Sequence, residues 1–97
     1  MPQNGAINFG AVAYSREMHD GRPVLVVRGS IVNSGSQAQS VPQAEAVLAA
    51  AGGRPVDRWW FQPGVRQLAP GEEARFSTWR IDPPETAQSL ALHLKRR

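Results

Sequence analysis

Residues 24–35, Val-Leu-Val-Val-Arg-Gly-Ser-Ile-Val-Asn-Ser-Gly, constrain this chain more than any other stretch. They read as one strand ending in an Asn-Ser-Gly turn. Leu25, Val27 and Ile31 share one side and Arg28 and Ser30 the other, the period-two alternation of a half-buried strand. Gly29 allows a close backbone approach or a bulge within that strand. Asn33 and Gly35 tolerate positive φ in the turn.

Turn signals recur at short intervals along the rest of the chain. They are Asp20-Gly21, Gly52-Gly53, Pro63-Gly64, Pro70-Gly71 and Asp82-Pro83-Pro84. The segments between them have strand length, which favours an antiparallel sandwich over alternating strands and helices. Residues 6–17 form the first expected strand, with Ile7, Phe9, Ala11 and Ala13 on one side and Asn8, Gly10, Val12 and Tyr14 on the other. Asp20-Gly21 suits a type I′ hairpin turn, where both central residues need positive φ. Further strands are expected over 23–33, 41–50, 54–62, 65–68, 73–81 and 88–95. Pro70-Gly71 fits the central positions of a type II turn.

The segment 40–52 carries two competing signals. Ser40 and Gln43 have capping-box spacing, Pro42 suits a first helical turn, and Gly52 suits a helix end. Alanine also favours helix. Against this, Ala44, Ala46 and Leu48 alternate, and Gly52-Gly53 then reads as a hairpin turn. Local signals leave strand and helix open here.

Ninety-seven residues make one domain, residues 1–97. A chain of this size buries roughly 60–65% of its unfolded surface, enough for one thin core. Hydrophobic residues at 41% and charged residues at 20% argue against disorder. No cysteine is present, which excludes disulfides, thiolate metal sites and thiol nucleophiles. No run approaches the ~18–20 apolar residues of a membrane span, and nothing reads as a signal peptide. The formal charge is +3, and the C-terminal Lys95-Arg96-Arg97 accounts for the excess.

The segments together resemble a bacterial family. The residues that carry the likeness are 25–35, Val41-Pro42, Gly53-Arg-Pro-Val, Trp59-Trp-Phe-Gln-Pro63, 68–76 and Asp82-Pro-Pro84. Their order resembles the C-terminal domain of unknown function of bacterial zinc-ribbon membrane proteins, over residues 7–94. In that family a cytoplasmic zinc ribbon, a linker and one membrane helix precede the β domain. The resemblance implies an immunoglobulin-like antiparallel β-sandwich of about seven strands. It also implies placement on the periplasmic side of the cytoplasmic membrane, and it favours strand over helix for 41–50. The ribbon and the membrane helix are not in this sequence, so any attachment to the membrane would run through a segment outside it. Ala44, Ala46 and Ala50 depart from the larger apolar residues the family prefers. The family carries no established catalytic residues, so none is transferred.

Little in the sequence points to chemistry. His19 falls in the first hairpin turn and His93 on the outward side of the last strand, and neither belongs to a ligand pair. No Gly-x-Ser-x-Gly elbow is present, and Gly5–Gly10 lacks the Gly-Lys-Ser/Thr ending of a phosphate loop. Glu72-Glu73 reads as a solvated strand start, because an acid–base pair needs two different environments. The expectation is a non-enzyme with no metal and no cofactor.

The aromatics are more informative. In a strand, Trp59 and Phe61 point one way and Trp60 the other. If Phe76 points inward, Trp79 has outward parity. Trp60 and Trp79 are therefore the candidate protein-contact residues, since large exposed apolar groups often mark contact sites. The expected function is an interaction or structural module that contacts an envelope protein or a second copy of itself. The contact would run through an edge strand or the Trp60/Trp79 face. The alternative is nucleic-acid or anionic-surface binding through Arg54, Arg58, Arg66, Arg75, Arg80 and the 95–97 tail.

Overall fold

The computed structural model describes residues 6–95. Eight strands follow in order: β1 (Ile7–His19), β2 (Arg22–Asn33), β3 (Gln39–Ser40), β4 (Ala44–Ala49), β5 (Pro55–Phe61), β6 (Gln67–Leu68), β7 (Glu73–Ile81) and β8 (Ser89–Leu94). All pairings are antiparallel. One sheet has the order β1-β2-β7, a second β5-β4-β8, and β3 pairs with β6 as a short ribbon. The expected all-β class and strand positions hold. The additional strand is β3, a two-residue partner for the short fifth segment.

Segment 44–49 is a strand, not a helix. Its alternation decides the outcome: Ala44, Ala46 and Leu48 are buried while Glu45, Val47 and Ala49 are partly exposed. As the middle strand it is hydrogen-bonded on both sides, and burying one alternating row outweighs the intrinsic helix preference of alanine. The β4–β5 turn contains Gly52 and Gly53, both at positive φ.

The two large sheets pack face to face. Ile7, Ile31, Val41, Leu68 and Phe76 form one buried cluster, and Leu25, Val27 and Leu48 a second. Phe76 contacts the ring of Phe61 at 5.4 Å and that of Phe9 at 5.9 Å. The second sheet alternates large and small across its inner face. Ala44 lies between Phe61 and Leu94, and Ala46 between Trp59 and Leu92. The β3–β6 ribbon closes one end of the core through Val41 and Leu68.

Two expectations are corrected. First, β1 changes parity: its register shifts between Phe9 and Val12. Ile7 and Phe9 face the core, but beyond the bulge Val12 and Tyr14 take the core side and Ala13 turns outward, since the extra residue reverses the alternation. Val12 lies opposite Gly29, where a Cβ would come within 2.9 Å of the Phe76 ring and 3.0 Å of the Ala11 carbonyl oxygen. Second, β2 is buried on both sides in places, since outward-facing Val24, Val26 and Ser30 are buried too. Asn33 and Gly35, which tolerate positive φ, do not use it here. Asn33 is fully buried and works through its side-chain amide. The hairpin between β1 and β2 does turn at Asp20 (φ 53°) and Gly21 (φ 76°).

Candidate interaction surface

Trp59 and Phe61 point into the sandwich and Trp60 points out, as strand parity requires. Trp59 donates from Nε1 to the Thr78 hydroxyl at 2.8 Å. Arg80 lies over its ring at 5.3 Å and makes two hydrogen bonds to Asp57, at 2.7 and 2.8 Å. These contacts join β5 to β7 across the sandwich. They consume Trp59 and Arg80 in structure.

Trp60 is 52% exposed and Trp79 59% exposed. They do not share a face. Trp60 stands on the outer face of the β5-β4-β8 sheet, beside Glu45 and His93 in register. Lys95 Nζ lies 5.8 Å from its ring centroid. Trp79 stands on the outer face of the opposite sheet, in register with Val26 and, beyond it, Ser15. The expectation of one Trp60/Trp79 face is therefore corrected: the two sheets point their outer sides in opposite directions.

The surroundings of the two residues differ. Trp79 borders a groove of about 340 Å³ lined also by Glu17, His19, Val24, Val26, Arg28, Ser77 and Ile81. Ile81, the next outward residue on β7, is 51% exposed. The floor is Val24 and Val26, and small Ser15 and Ser77 in the adjacent strands leave it open. At the rim Glu17 accepts hydrogen bonds from His19 (2.9 Å), Ser15 (3.0 Å) and Arg28 (3.3 Å). These bonds, that from His19 foremost, hold the Glu17 carboxyl below the ordinary range. The groove thus has an apolar floor, an indole wall and a charged rim. Sequence parity located Trp79. It missed Val24 and Val26, because an outward valine carries no signal of its own until neighbouring strands are placed beside it.

The other candidates are dispersed. His93 is exposed on β8, and among the described residues no group of three or more histidines and carboxylates could hold a metal ion. Glu72 accepts a hydrogen bond from the Ala69 backbone N–H at the Pro70-Gly71 turn. Arg58 pairs with Glu45 on the outer face of one sheet at 3.5 Å, and Arg75 projects from the outer face of the other. Arg80 is held between the sheets. Arg54 and Arg66 lie in two separate connections, and Arg96 and Arg97 lie outside the described residues. Among the described residues no helix is long and apolar enough to cross a membrane. No family model matches the chain, and no curated protein or solved structure gives a match.

Proposed function

We propose that this domain is a non-catalytic interaction module whose main contact surface is the Trp79 groove. The observation that carries the reading is an indole and an isoleucine exposed beside a buried valine floor. Nothing in the core requires that arrangement, and interface hot spots favour an aromatic anchor at an apolar pocket with a polar rim. The partner is a protein that presents an apolar side chain to the groove. The resemblance of residues 7–94 to the domains of zinc-ribbon membrane proteins supports an envelope setting, on the periplasmic side of a bacterial cytoplasmic membrane. An immunoglobulin-like connectivity is part of the same proposal.

The dispersal of the arginines favours this reading over nucleic-acid binding, which concentrates basic charge on one face. The ion pairs and hydrogen bonds of Glu17, Glu45 and Asp57 favour it over acid–base chemistry.

The test is capture from envelope extract with the wild-type chain, Trp79→Ala and Trp60→Ala, each checked for folding. Loss of a captured protein with Trp79→Ala but not with Trp60→Ala is the expected result. Equal capture by all three overturns the groove as the contact surface.

A further inference from the structure

β1 is the longest strand and an edge of its sheet, and its second half is nearly bare. From Gly10 to His19 every residue is exposed except Glu17, which is half-buried. Val12 (39% exposed), Tyr14 (58%) and Met18 (67%) are three of the large apolar side chains left open to solvent. With Arg16 they form one row on the core side of the sheet, opposite Gly29, Val27, Leu25 and Pro23 of β2. The β5-β4-β8 sheet leaves them exposed, with Tyr14 and Arg16 across a cleft of about 110 Å³ from Leu48, Ser89 and Leu90. Among the described residues no strand pairs with the free side of β1.

Exposed edges are normally blunted by proline, lysine, shortness or a covering loop. The other edges have such protection: β5 starts at Pro55, β8 has six residues, and the Gly64 turn packs on the Arg75 backbone of β7. Residues 11–19 contain no proline and no lysine. The β1 bulge, at Gly10 and Ala11, lies at their N-terminal end.

We propose that two copies of this chain join β1 to β1 antiparallel about a two-fold axis through Ser15. The proposal rests on reading the domain as an interaction module, but it uses the free edge of β1, which meets the Trp79 groove only at the Glu17 and His19 rim. Ser15 is the midpoint of the free stretch from Ala11 to His19, so this register pairs the greatest length of edge. It sets Val12 of one copy opposite Met18 of the other, Tyr14 opposite Arg16, and Ala13 opposite Glu17. The apolar pair joins the exposed patches, and the guanidinium meets an aromatic ring. Arg16 forms no ion pair among the described residues and is available for that contact. Neighbouring registers match less well. Centring on Arg16 sets arginine against arginine, and centring on Glu17 sets glutamate against glutamate. Centring on Tyr14 puts Met18 opposite Gly10 at the bulge. The product is a continuous six-stranded sheet with a self-complementary interface, as a two-fold dimer requires.

Sedimentation equilibrium of the whole chain tests this. The wild type should show a monomer–dimer equilibrium. Tyr14→Lys should weaken it by about tenfold or more, because it creates a like-charge pair with Arg16 twice per dimer. Adding Arg16→Glu to that variant should restore dimerisation, since opposite charges then face each other across the axis. Because the chain has no cysteine, Ser15→Cys should give an oxidised, cross-linked dimer while Ala13→Cys, displaced from the axis, should not. A wild type still monomeric at about 1 mM overturns the proposal. So does a dimer indifferent to Tyr14→Lys, or equal cross-linking at positions 13 and 15. Trp79→Ala should leave the dimer unchanged, so failure of the groove reading and failure of this one are told apart.

Discussion

At the scale of single residues, Asn33 shows how one polar side chain can organise a connection. It is fully buried at the end of β2. Its amide nitrogen donates to the carbonyls of Gln37 (2.8 Å) and Leu68 (3.0 Å), and its amide oxygen accepts from the Gly35 N–H (2.9 Å). Its own backbone pairs with Glu72 and Gly71. One residue therefore ties the 34–37 loop, β6 and the 69–72 turn to the central strand. Asn33→Ala leaves one buried and two partly buried backbone groups without their partner and should cost about 2–3 kcal/mol in urea denaturation. Asn33→Asp should cost more, because a carboxylate would face two carbonyl oxygens. The sequence marked this position as a turn, and the Asx-type bond to Gly35 agrees with that reading. Its burial depends on β6, more than thirty residues away, and no local pattern reports a contact of that range.

At the scale of elements, β4 is the instructive case. Capping residues and alanines argued for a helix, and alternation argued for a strand. Ala44 and Ala46 are fully buried between large side chains of both neighbouring strands. Small residues in the middle strand make room for Trp59, Phe61, Leu92 and Leu94. Ala46→Leu should therefore destabilise by about 1–3 kcal/mol through overpacking, although it restores the larger residue expected from the resemblance. Thermal denaturation of this variant checks it, and unchanged stability would mean that the site has spare volume. β1 makes a related point. Its residues alternate as read, but the bulge reverses which of them face the core, and a bulge is set by the partner strand.

At the scale of the whole molecule, the sheets are held together by packing and by a polar clasp at one edge. The paired hydrogen bonds from Arg80 hold the Asp57 carboxyl below its ordinary range against the opposing effect of burial, with help from the Arg58 N–H. Because the folded value is lower than the unfolded one, the clasp stabilises fully above the ordinary aspartate range. That contribution is lost as pH falls through the folded value. Asp57→Asn should cost about 1 kcal/mol at neutral pH and flatten the acid limb of stability against pH. The size is modest because the Arg80 side chain is 40% exposed and water screens the pair.

Residues 6–95 thus divide into what the chain carries locally and what assembly alone supplies. Turn chemistry and period-two alternation are local, so the sequence by itself determined the strands other than β3 and β4, the β1–β2 hairpin and the outward parity of Trp60 and Trp79. Tertiary structure decided the parity reversal in β1, the burial of Asn33, the separation of the two tryptophans and the valine floor beside Trp79. Each of these depends on which strands become neighbours, and pairing between distant segments is chosen by the packing of the whole core.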